Sequence, residues 1–231
     1  TMSKKWSTTM ITASQKPINE IIELVEPYKK VLILGCGTCV KTCFAGGEDE
    51  VAVLASALRL SFKKMARQIE IEELTIERQC ENEFIQEAAS GIGANDAVLS
   101  LACGAGVQAM AKRFSKAVVL PGVNTTFIGI QESPGIFTEE CSGCGNCSLA
   151  IFGSICPVTR CAKKLLNGPC GGSQKGLCEI DPDTPCAWHL IIERLTTLGQ
   201  MDNLKTYIPP KNWNTSLSGG PRKLIREDHI I

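Results

Sequence analysis

Lys30-Val31-Leu32-Ile33-Leu34-Gly35-Cys36-Gly37-Thr38-Cys39-Val40-Lys41-Thr42-Cys43 is the stretch that decides the fold. Its first half is a continuous apolar run of strand length. A run without alternation suits a strand buried on both faces, as in a parallel sheet covered by helices. Upstream, residues 17–28 place Ile18, Ile21, Ile22 and Val25 on one side of a short amphipathic helix. Downstream, Val51, Leu54, Ala55, Leu58 and Phe62 recur at helical spacing within 48–68. Strands are then expected at 69–77, 96–102 and 117–120, with helices at 82–89 and 105–114. Strand–helix alternation of this kind predicts an α/β fold: an open, mostly parallel sheet with helices, Rossmann-like or flavodoxin-like. Residues 121–137 are apolar and Gly-containing, and periodicity assigns them to neither class.

The expected domains are an α/β domain over 1–135 with cysteines at its strand ends, a small cysteine-rich iron–sulfur module over 136–200, and an extended tail over 201–231. Helices are expected in the module at 159–166 and 186–199. The chain of 231 residues is too short for an eight-fold β/α barrel with a second domain, since a barrel alone takes about 250. Lys plus Arg and Asp plus Glu both number 24, so no basic footprint for nucleic acid or a membrane surface exists. The only histidines are His189 and His229, which weighs against His-based acid–base chemistry and His-rich zinc sites.

Cysteine is the anomaly, at 13 residues. The polar stretch 1–19 has no apolar run of a secretory signal, so a cytoplasmic, thiol-reducing setting is expected. There, metal ligation is the better reading of clustered cysteines than disulfides.

Cys36, Cys39 and Cys43 follow the first strand, Cys80 the second and Cys103 the third. In a parallel sheet the carboxyl ends of all strands share one edge, where ligands bind. Five thiols as far apart as Cys36 and Cys103 are therefore expected at one edge, as a metal or iron–sulfur site. The plainer alternative makes Cys36 and Cys103 small apolar ends of buried strands. Gly35-x-Gly37 also hints at a dinucleotide loop, but Val40 stands where the third glycine belongs.

Cys141-Ser-Gly-Cys144-Gly-Asn-Cys147 has the C-x2-C-x2-C spacing by which a loop wraps three corners of a cubane cluster. Cys156-Pro157 follows after eight residues rather than three, then Cys161, Cys170, Cys178 and Cys186. Eight cysteines suffice for two four-thiolate sites. Iron–sulfur is favoured for the triplet, because zinc more often uses paired knuckles. For the last four, zinc and iron–sulfur stand level. His189, one turn beyond Cys186, is more simply a helix side chain than a ligand.

The run Gly168-Pro169-Cys170-Gly171-Gly172-Ser173, with Gly176-Leu177-Cys178-Glu179 and Cys186-Ala187-Trp188, resembles the methylenetetrahydrofolate reductase C-terminal domain family. Its stand-alone members are the small cysteine-rich subunit of acetogen-type methylenetetrahydrofolate reductases. Gly35-Cys36-Gly37-Thr38-Cys39, Arg78-Gln79-Cys80-Glu81, Leu101-Ala102-Cys103-Gly104 and Pro209-Pro210-Lys211-Asn212-Trp213 are also similar to that subunit. The resemblance runs over about residues 20–225. It implies a non-catalytic electron-transfer chain with two or three [4Fe–4S] clusters, zinc being the alternative at one four-Cys site. It implies a flavin-bearing barrel subunit as partner, with a further electron-donor protein, in one-carbon metabolism and acetogenesis. Trp188, Trp213 and Pro209-Pro210 are candidate docking residues. The competing readings are a redox-inactive zinc scaffold and a self-sufficient oxidoreductase with a nucleotide at Gly35–Gly37.

Overall fold

The computed structural model describes residues 11–133 and 135–216, and the chain divides into two compact units after Thr138. The first opens with β1 (Ile11–Gln15), α1 (Ile18–Val25) and the central strand β2 (Lys30–Cys36). It continues through α2 (Cys39–Thr42), α3 (Glu48–Lys64), β3 (Glu70–Ile76), α4 (Asn82–Glu87) and α5 (Ala89–Ala94). Next come β4 (Ala97–Ser100), α6 (Gly104–Arg113), β5 (Val119–Pro121), β6 (Val123–Ser133) and β7 (Ile136–Cys141).

A four-stranded parallel sheet runs in the order β3-β2-β4-β5. The alternation within β2 explains how both faces are covered. Val31 and Ile33 pack with Ile21 and Val25 of α1 and with Val51, Leu54, Leu58 and Phe62 of α3. Leu32 and Leu34 point the other way, onto Ile85, Ala88, Ile92 and Met110 of the helices α4 to α6. Each fully buried aliphatic side chain contributes about 1.5–3 kcal/mol by leaving water. The edges are blunted chemically: β3 exposes Glu70, Glu72 and Glu73, and β5 is three residues long and ends at Pro121.

Two features depart from the expected pattern. Residues 123–133 form a long strand, which pairs antiparallel with β1 in a separate sheet of order β1-β6-β7. The expected helix at 82–89 breaks at Ala88, whose ψ of 0° turns the chain into α5.

The second unit contains α7 (Pro157–Arg160), α8 (Ala187–Thr197) and two 3-10 turns at Met201–Lys205 and Trp213–Thr215. The helix expected at 159–166 stops at Arg160. Cys161 is already extended, at φ −99° and ψ 118°, and Lys164 adopts a positive φ of 53°. The core here is small. Phe152, Trp188, Ile191 and Leu195 form its buried centre, with the rings of Phe152 and Trp188 edge-on at 5.6 Å. The Trp188 indole N–H donates to Leu165 O at 3.1 Å. Trp188 is 2% exposed, which removes it from the candidate docking residues. This small core sits among eight cysteines. Among the described residues no helix is long and apolar enough to cross a membrane.

Candidate metal centres

Strand order places the first group. β3, β2 and β4 are adjacent and parallel, so the residues that follow them meet at one edge. Cys36 ends β2, Cys39 begins α2, Cys80 lies in the loop after β3, and Cys103 caps the N-terminus of α6. These four thiol-bearing residues line one cavity of about 480 Å3, together with Gly37, Thr38, Gln79, Ala102 and Gly106. Cys36 is 7% exposed and belongs to the core cluster, yet it forms part of the cavity wall.

Burial pushes the Cys80 thiol up, and repulsion from Cys103 and Cys36 pushes it further. With no cation among them, thiols that disfavour one another's ionisation in this way stay protonated. Among the described residues no three Cys, His, Asp or Glu side chains close on a point as a ready-made ion site. The edge thiols stand around a cavity instead. An all-sulfur donor set around a roomy wall fits a metal–sulfur cluster held at separate corners.

Cys43 is different. It does not line the cavity. Its sulfur accepts the Ala13 N–H at 3.4 Å and donates to Cys39 O and Val40 O, both at 3.5 Å. Burial raises its thiol, which keeps it protonated. It thus reads as a packed free thiol tying β1 to α2.

Gln79 was not a candidate on sequence, although it carries the edge. It is fully buried. Its amide donates to Leu34 O at 2.8 Å and Gly35 O at 3.0 Å, and its oxygen accepts from Ser100 Oγ at 2.6 Å. The residue before Cys80 is thereby bonded to the ends of the strands that carry Cys36 and Cys103. Leaving such buried partners unpaired costs about 1–3 kcal/mol each. Only its place beside Cys80 could have flagged it.

The same edge answers the nucleotide reading. α3 presents Glu48, Asp49 and Glu50 in its first turn, and Glu50 accepts the Gly47 N–H at 2.8 Å. Carboxylates occupy the helix end that a pyrophosphate would need.

In the second unit Cys161, Cys170, Cys178 and Cys186 line one narrow cavity of about 20 Å3. Lys163, ion-paired with Glu179, and Arg160 also contribute to its wall; Arg160 pairs with Glu140 at 2.8 Å. His189 does not line it: its Nε2 lies 3.2 Å from Glu193 and beside Gly176. Four thiols and no histidine suit either a zinc ion or a cluster.

Cys141 ends β7, and Cys144 and Cys147 occupy the loop that follows. Gly143 and Gly145 take φ of 61° and 76°, a region open to glycine at little cost. The Gly143 N–H already donates to Cys141 Sγ at 3.4 Å, and Ser142 N–H is held by Thr159 Oγ1 at 3.1 Å. A loop that already aims the Gly143 N–H at its own Cys141 sulfur fits the anionic group the spacing predicts. Cys156 caps the N-terminus of α7, beside Pro157 at the first helical position. Burial pushes the Cys144 thiol up, but the Asn146 backbone and the Lys211 ammonium outweigh it, and the net shift is downward.

No curated protein and no solved structure matches this chain. A family model does, and its span takes in all eight cysteines of the second unit while leaving out the five of the sheet edge. Over residues 120–214 the chain matches the family described as methylene-tetrahydrofolate reductase C terminal, the family its Cys170–Trp188 motifs resemble.

Proposed function

We propose that this chain is the iron–sulfur electron-transfer subunit of a methylenetetrahydrofolate reductase complex, and that it serves a separate flavin-bearing barrel subunit. The observation that carries the reading is the gathering of Cys36, Cys39, Cys80 and Cys103 around one edge cavity. The family match over 120–214 supports the choice of reductase. We assign one [4Fe–4S] cluster to those four residues and a second to Cys141, Cys144 and Cys147. Cys156 is its fourth ligand, because Cys161, Cys170, Cys178 and Cys186 share the narrow cavity. That cavity holds a third four-thiolate centre, a cluster or a zinc ion.

Bound there, such groups supply one-electron centres. Reducing the folate imine takes a hydride, which a flavin held by the partner subunit would supply. This chain's residues do the rest: its thiolates hold the centres, Gln79 fixes the spacing of the edge, and the Gly143 N–H offsets negative charge at Cys141. The chain acts in an oxidoreductase without itself touching the folate.

A redox-inactive zinc scaffold makes the opposite material prediction. Anaerobically prepared protein should be brown and carry about eight irons with one zinc, or about twelve irons, by cubane stoichiometry. Colourless protein holding zinc alone would overturn the proposal in favour of the scaffold.

A further inference from the structure

We propose that Lys211 sets the reduction potential of the centre held by Cys141, Cys144 and Cys147, acting as a positioning residue through a strap formed by residues 211–216. The inference rests on the reading that this loop holds a cluster.

Three observations converge. First, the Lys211 ammonium hydrogen-bonds Asn146 O, inside the C-x2-C-x2-C loop, and lies beside Cys144. Among the described residues it has no carboxylate partner, so its charge is directed at the loop. Second, the segment that carries it is pinned to the same loop. Thr215 Oγ1 donates to Cys144 O at 2.8 Å and to Asn212 O at 3.0 Å. A Cβ at Gly145 would stand 2.1 Å from Thr215 O, so the strap's backbone lies directly against the loop. Third, the strap is internally organised. Asn212 caps the Asn214 N–H at 3.0 Å, Ser216 is 6% exposed, and Lys164 sits 5.6 Å over the Trp213 ring.

The physical consequence follows from charge. One-electron reduction adds a negative charge to an already anionic thiolate-bound group. A fixed cation one side chain away stabilises the reduced form more than the oxidised one. A lysine that merely anchored the loop would change cluster retention, not potential.

The test uses the full chain, prepared anaerobically, as Lys211→Met and Lys211→Arg. Iron content and the midpoint potential of each centre are read together, the latter by titration followed by paramagnetic resonance. In Lys211→Met iron should stay at the wild-type value. One centre should become about tenfold harder to reduce, a negative shift of about 59 mV for a one-electron couple. Lys211→Arg should stay near wild type. Loss of that iron in Lys211→Met with retention in Lys211→Arg would overturn the proposal in favour of a lysine that only anchors the loop. Unchanged potentials at unchanged iron would overturn it, as would equal loss of iron in both variants. Failure of the underlying reading looks different: Cys144→Ala would then leave the iron content untouched.

Discussion

Cys103→Ala should remove about four irons per chain from anaerobically prepared protein, by the stoichiometry of one cubane, while Cys43→Ala removes none. Sequence spacing gives the two residues equal standing. Geometry separates them. Cys103 lines the edge cavity with Cys36, Cys39 and Cys80, whereas Cys43 turns toward Ala13 N–H and the carbonyls of Cys39 and Val40. Cys103 is also the cleaner site to change than Cys36. It is half-buried at a helix cap, while Cys36 is part of the core. Elemental analysis of the two variants against wild type decides the matter. Iron lost from Cys43→Ala and kept in Cys103→Ala would reverse the assignment.

Cys144→Ala should remove a different set of about four irons, and the double variant with Cys103→Ala about eight, again by cubane stoichiometry. Additivity is expected because the two sites lie in separate units, each built from its own thiols. Cys144 sits between Gly143 and Gly145, whose φ values are 61° and 76°. Each single variant should lack one resonance signal that the other keeps. A double variant that loses no more iron than either single one would mean that the two thiol groups hold one centre, not two.

Much of the first unit could be read from β2 alone. A run buried on both faces demands helices on both sides, and the chain supplies α1 and α3 on one and α4 to α6 on the other. Strands ending at Cys36, near Cys80 and near Cys103 then had to share an edge, because parallel strands end together. The sheet β1-β6-β7 was not legible in the same way. β6 carries the β-branched residues Val123, Thr125, Thr126, Ile128 and Ile130, which favour a strand. Its partner β1 pairs from far along the chain, Gln15 with Val123 and Ile11 with Ile128, far beyond any local window, and is only five residues long. The excess of five thiols over four corners also needed three dimensions, since only hydrogen bonding shows that Cys43 faces elsewhere. Gln79 and Lys211 act through contacts 21 to 65 residues distant, which no motif encodes.

Reconstitution tests the central claim most directly. The wild-type chain, with its centres intact, is mixed anaerobically with a flavin-bearing methylenetetrahydrofolate reductase barrel subunit, and methyltetrahydrofolate formation from a low-potential one-electron donor is followed. The chain alone should bind no flavin and form no product. The barrel subunit alone should make no use of that donor, and the two together should turn over. Product formed by the isolated chain would contradict the account, and so would full donor-dependent turnover by the barrel subunit with a chain stripped of every centre.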